Sequence, residues 1–443
     1  MNVEPHPIRT STEQALAISI ESMRAKLPGN AAVKKLREAA ASSFFESGLP
    51  HRRIEEWKYT DLRALMRDVA PLASPPNPDA IKQAKKLDPF PELKLRRLVL
   101  VNGTFIPELS DLSALENGLT IVTLARALTN GHKLTHRIGE LKSETYDAAL
   151  ALNTAFLNDG VLIEIAEGTQ ISQPIHIVHA FAEKAPAATY ARSLVVVGAN
   201  AKGTVVESFV GADGIAYQSN SATELQIGAE AQFDFVRLQA EGNAAIHLST
   251  LLIDIGQNAK FSLNPITTGA SIARFSVSLR FGGKNIEGCF AGANLLRAKQ
   301  HADTTLVIDH AMPGCSSREL VKTVLDDDSR GIFQGRIVVK PDAQKTDARM
   351  ATHALMLSDK AESINKPELE IFADDVQCGH GATSGALDEN LLFYFLARGI
   401  PRKEAEALLI HSFVAESIEM ILHDGLREAL LERADDWLAR RQS

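Results

Sequence analysis

Cysteine is scarce in this chain. Cys289, Cys315 and Cys378 are the only three in 443 residues. They cannot form a disulfide framework or supply four thiolates to a zinc or iron–sulfur site. Their spread predicts a reducing compartment. Long apolar runs are also missing. Residues 148–165 are broken by Asn153, Asn158, Asp159 and Glu164, and residues 244–255 by His247 and Asp254. No membrane span is therefore expected. Residues 1–10 carry no apolar h-region, so no secretory leader is expected and the cytoplasm is the predicted location. There is no excess of positive charge: Lys+Arg number 47, Asp+Glu 55, and the net charge is −8. Without a basic stripe, a nucleic-acid partner is not expected. The chain has no Walker-type phosphate loop, no Gly-x-Gly-x-x-Gly before a helix, no Gly-x-Ser-x-Gly and no His-Glu-x-x-His. Each absence argues against a built-in nucleotide site or hydrolase centre.

What is present is the composition of a folded protein, 45% hydrophobic and 23% charged. The length suits two or three domains, or one long repetitive unit with caps. Residues 1–90 read as an N-terminal helical domain. Ser11 with Gln14 suggests a capping box ahead of Leu16, Ile20, Met23 and Leu27. A second helix starts after Asn30 and stops at Gly48. Pro71, Pro75, Pro76 and Pro78 mark a linker. Residues 91–158 form a mixed connecting segment. Its Asn102-Gly103 pair, between apolar runs, predicts a type I′ hairpin.

From residue 159 the pattern becomes short β-branched runs separated by similar corners. Gly198-Ala-Asn-Ala, Gly228-Ala-Glu-Ala, Gly256-Gln-Asn-Ala and Gly283-Lys-Asn-Ile lie 30, 28 and 27 residues apart, and residues 166–169 form an earlier copy 32 before the first. A steady period favours stacked coils over a sandwich. Residues 159–387 are therefore expected to form a parallel β-helix. Residues 388–443 return to helices, with Asp388 as an N-cap, Leu391, Leu392, Phe395 and Leu396 as an apolar face, and Pro401 at the start of the next helix. That second helix carries Leu408, Leu409, Phe413, Ile418, Ile421 and Leu422 as its stripe. In this layout the helices are expected to cover the open ends of the solenoid.

Among residues that could carry chemistry, Cys378 and His380 stand out. Two apart on a strand, they point to the same side and make one soft and one borderline ligand, half of a metal site. The blander reading is a small core thiol and a hydrogen-bonded corner histidine. Asp326, Asp327 and Asp328 read first as a solvated turn. Lys345, Asp347 and Arg349 suit a salt-bridge ladder. His176 and His179 fall on opposite faces and are poor joint ligands, while a solenoid could stack His301, His310 and His353. Cys289 is expected in the core and Cys315 in an exposed turn.

Several of these runs together resemble the SufB/SufD family. They are Lys-Pro-Asp-Ala-Gln-Lys-Thr-Asp-Ala from Lys340, Leu-Ser-Asp-Lys-Ala from Leu357, Lys-Pro-Glu-Leu-Glu-Ile from Lys366, Ala-Asp-Asp from Ala373, Cys378-x-His380-Gly381-Ala382-Thr383 and Arg398-Gly399-Ile400. Arg-Ile-Glu-Glu-Trp-Lys-Tyr-Thr from Arg53 resembles the SufD branch. So do Gly381, where SufB has Glu, and the low cysteine count.

The resemblance implies a right-handed parallel β-helix between N- and C-terminal α-helical domains. It also implies a non-enzymatic scaffold of the SUF iron–sulfur cluster assembly system that binds no nucleotide itself. The implied partners are a SufB-like subunit, paired through the β-helix, and a SufC-like ABC ATPase on the helices of residues 388–443, where Arg398, Gly399 and Ile400 are the partner-binding candidates. A homodimer is the implied state when SufB is scarce. A transient iron–sulfur cluster or iron would sit at the SufB interface with His380 as ligand and Cys378 as a second. The competing expectations are a β-helix carbohydrate-active enzyme of the lyase type, which would need a Ca²⁺-binding carboxylate cluster and export, and a hexapeptide-repeat acyltransferase, which would need six-residue repeats.

Overall fold

The computed structural model describes residues 9–143 and 145–442. Residues 1–8, part of the segment read for a leader, lie outside the described residues. The first helix is Ser11–Met23, and its capping box lies one residue earlier than expected. The Thr10 hydroxyl accepts from the Glu13 N–H and the Glu13 carboxylate accepts from the Thr10 N–H at 2.7 Å. Glu13 wins over Gln14 because its carboxylate also takes the Leu49 N–H and the Arg63 guanidinium. The second helix, Ala31–Ser47, runs from Asn30 as N-cap to Gly48.

The chain then forms the expected hairpin, Arg96–Val101 against Thr104–Phe105, with positive φ at both Asn102 and Gly103. From Asp159–Ile165 to Gln377–Gly385, successive strands alternate between two sheets, so each coil gives one strand to each. Eight such coils make a parallel β-solenoid. The larger sheet has ten strands and the other nine. Strands within each sheet pair in parallel, except for the hairpin and the pairing of Leu119–Thr123 with Asp159–Ile165.

The corner repeat has a physical cause that extends beyond the four copies. Its third residue adopts the left-handed conformation at Gly168, Asn200, Glu230, Asn258, Asn285, Gly314 and Lys345. In most copies its N–H donates to a carbonyl of the next coil, as Asn200 does to Ala229 and Gly314 to Gln344. The glycine that opens the corner is needed for close approach. A Cβ on Gly228 would lie 2.6 Å from the Ala199 nitrogen. The fourth residue turns inward and is fully buried at Ala201, Ala231, Ala259 and Ile286. Cys315 occupies that same inward position at 0% exposure, which corrects the reading of it as an exposed turn residue. Inside, aromatic side chains from successive coils, such as Phe233, Phe261, Phe290 and Phe333, lie buried in one continuous apolar core. Each contributes roughly 1.5–3 kcal/mol of burial.

The helices sit on the sides of the solenoid. Leu16, Ile20, Phe44, Trp57 and Leu152 pack with Leu248 on the outer face of the nine-stranded sheet. Ile410, Val414, Ile418, Ile421, Leu430 and Trp437 pack with Leu238, Ile266, Leu295 and Val324 on the outer face of the ten-stranded sheet. The helices therefore cover neither end, contrary to expectation. The first coil is closed instead by strands, the hairpin and Leu119–Thr123. The last coil is left open by the described residues, because the C-terminal helices Arg402–Ile418 and Asp424–Gln442 find their apolar partners along the sheet's flank.

Candidate functional site

The open end is formed by two edge strands, Glu362–Ile371 and Gln377–Gly385. They differ in kind. The first carries Glu362, Lys366, Glu368 and Glu370 along with Pro367, the residues that blunt an edge against further pairing. The second reads Gln-Cys-Gly-His-Gly-Ala-Thr-Ser-Gly, with no charged Asp, Glu, Lys or Arg, and is mostly exposed. A Cβ at Gly379, Gly381 or Gly385 would meet nothing within 4 Å, so another backbone can approach closely there.

Cys378 pairs in register with Ala348 and His380 with Met350. Ala348 and Met350 are both buried in the solenoid interior. Cys378 and His380 therefore lie on one side, at the mouth of the interior. Cys378 is half-buried against the core, and burial raises its thiol pKa, with the charges of Asp347 and Glu319 adding to the effect. In the chain alone it is a protonated thiol that would have to lose its proton to bind metal. His380 is exposed and hydrogen-bonds to no other described side chain. It is the more accessible of the two side chains.

The remaining candidates do not join them. His176 is buried on Ser208, His179 meets Glu207 at 3.2 Å, and His310 meets Ser317 at 3.1 Å. His301 touches Thr60, and His353 alone reaches the last strand, 2.7 Å from Thr383. The anticipated stacking of His301, His310 and His353 does not occur. Cys289 faces outward into a groove beside Asp234, Ser262 and Leu422, which corrects its placement in the core; burial pushes its thiol up to about 11. Among the described residues no three His, Cys, Asp or Glu side chains gather as a metal site. Asp327 lies in a turn with positive φ and accepts the Ala298 N–H.

A second exposed feature follows the solenoid. Helix Glu389–Leu396, capped by Asp388, buries only Leu392. Leu391, Phe393, Tyr394 and Leu396 are exposed, so the first stripe is not the core face it resembles. The second stripe is right in part: Ile418, and Ile421 just past the helix, are buried as expected, whereas Leu408 and Leu422 are exposed and Ile410 and Val414 are buried instead. Beside this patch the Arg398 guanidinium stacks on Tyr394 at 3.3 Å, Gly399 turns the chain with φ 82°, and Pro401 is the N-cap of Arg402–Ile418.

Sequence reasoning also missed the anchor formed by the segment from Arg53 to Thr60. Trp57 lies beneath the Arg274 guanidinium at 3.8 Å, and Arg274 pairs with buried Asp303. Thr60 also hydrogen-bonds to Asp303, and the Glu56 carbonyl accepts from Arg274 at 2.8 Å. Glu55 pairs with Lys366 on the edge strand of the last coil. The visible signal was the apolar Trp within a charged run.

Comparison with known proteins adds the following. A family model described as "SUF system FeS cluster assembly, SufBD core domain" matches residues 179–413, and one described as "SufBD protein N-terminal region" matches residues 21–177. An iron–sulfur cluster assembly SufBD family protein of Synechocystis is 31% identical over 87% of this chain and 86% of its own length. The iron–sulfur cluster assembly protein SufD of Escherichia coli is 28% identical over 87% of this chain and 89% of its own. The chloroplastic protein ABCI7 of Arabidopsis thaliana is 27% identical over 93% and 88% respectively.

Proposed function

The chain belongs to the SufBD family of SUF-system iron–sulfur cluster assembly proteins, and from that premise we propose that it is a non-catalytic scaffold subunit whose open coil pairs with a SufB-like partner. The observation that carries this reading is the last strand: an uncharged, glycine-lined edge with Cys378 and His380 on one side of it. An uncovered edge of this composition is a template for a strand from another chain. Two ligands make half a site, and a partner strand supplies the rest.

On this reading His380 holds the nascent cluster or iron as cargo. Cys378 joins it once the interface places positive charge or metal near its thiol. The apolar patch of Leu391, Phe393, Tyr394 and Leu396, with Arg398, Gly399 and Ile400 at its edge, docks a SufC-like ABC ATPase. Nucleotide-driven closure of two ATPases would then shift the helical segments and open the paired edges to incoming iron and sulfide.

His380→Ala tests the ligand role. The exposed imidazole supports no packing, so the variant should fold and co-purify with both partners while building at least about tenfold less cluster in cells. Normal cluster build-up in this variant would remove His380 from the site.

A further inference from the structure

A groove of about 430 Å³ lies between helices Ser11–Met23 and Ala31–Ser47. Its apolar walls include Ile20, Phe45 and Ala155. Arg37, which also lines it, is only 6% exposed. Its Nε and Nη2 donate to the Leu157 carbonyl at 2.9 and 2.6 Å, and Nη2 also donates to the Pro28 carbonyl. Nη1 is buried and has no hydrogen-bond partner among the described residues. Among the described residues no carboxylate pairs with this guanidinium, and burial pushes its pKa down to about 10 with no opposing charge. It is a buried cation without a counter-ion, an arrangement that an arriving anion would relieve.

Lys34 lines the same groove one turn earlier and forms no ion pair among the described residues. Arg24, by contrast, is already neutralised by Glu38 at 2.5 Å and Glu21 at 3.7 Å. Those two carboxylates also line the groove and oppose a doubly charged group such as a phosphate dianion. The cationic demand is thus for one negative charge, set beside an apolar wall.

We propose that this groove binds a small amphipathic carboxylate, with its charged group on Arg37 and Lys34 and its apolar body along Ile20, Phe45 and Ala155. This does not depend on the scaffold reading, since the groove shares no residue with the open edge.

The test is calorimetric titration of the full-length protein with octanoate, octanol and inorganic phosphate. Octanoate should saturate one site per chain, with octanol and phosphate each at least about tenfold weaker, because each lacks one half of the complement. Arg37 is kept intact because it ties down two carbonyls on which the fold rests. Lys34→Glu, at an exposed position, should weaken octanoate at least about tenfold with unchanged melting. Ser42→Trp, also exposed and lining the groove, should block it by filling the space. Absence of saturable octanoate binding, equal affinity for octanol or phosphate, or full affinity in both variants would each overturn the proposal.

Discussion

Glu319 shows at the residue scale how the coil geometry governs chemistry. It stands in register between Phe290 and Met350 in the solenoid interior, is 3% exposed, and leaves one carboxylate oxygen without a partner. Burial pushes its pKa up to about 8 from an ordinary 4.5. Below pH 4.5 the folded and unfolded chains both hold the proton. Between pH 4.5 and 8 only the folded chain does, so this residue erodes stability as pH rises. Glu319→Gln should therefore melt with wild type at pH 4.5 and be about 2–4 kcal/mol more stable at pH 8. Equal melting at both values would show the carboxylate to be satisfied. A second buried charge, Arg237, is handled differently. It stacks between Phe209 at 4.9 Å and Phe275 at 4.2 Å and donates to Ser249; burial lowers its pKa to about 10, and Glu207 and Glu241 oppose that fall, so it stays charged at neutral pH. The alternation of inward positions places such residues inside, but no periodicity announces that a core position is ionised.

At the scale of elements, the repeat was legible because its cause is local. A left-handed third residue and a close-packed glycine must recur wherever one coil turns over another. Following the register one coil past Asn285 would have placed Cys315 inside; the change from Gly-x-Asn-Ala to Pro-Gly-Cys hid it. Helix patterns carried less information. The stripe of Leu391, Leu392, Phe395 and Leu396 looks the same whether its cover comes from its own chain or from another. Here the described residues bury Leu392 and leave Leu391, Leu396 and the neighbouring Phe393 exposed. Phe393→Asp, at a position 72% exposed, should leave melting unchanged within about 0.5 kcal/mol and weaken binding of the SufC-like ATPase at least about tenfold. Unchanged ATPase affinity would move the docking surface elsewhere. Removing the whole helical tail is a poorer test, because it would strip Ile410, Val414 and Trp437 from the flank of the ten-stranded sheet.

The whole molecule is a solenoid closed at its first coil, flanked on both sheets and open at its last. That asymmetry was not legible in the sequence, since composition names helices before and after the coils without saying which surface they cover. Cys378 and His380 were legible as a pair from their spacing, but their position at the mouth of the interior follows only from the register over Ala348 and Met350. The N-terminal anchor adds to the asymmetry, because Glu55 reaches Lys366 on the other edge strand and steadies the coil that has no neighbour. On the proposed reading the partner subunit pairs along the free edge of residues 377–385. The decisive measurement is amide hydrogen exchange of those residues with and without a SufB-like protein. Exchange should be fast in the chain alone and slow strongly across 377–385 in the complex; a complex that forms while these amides exchange as before would rule this pairing out.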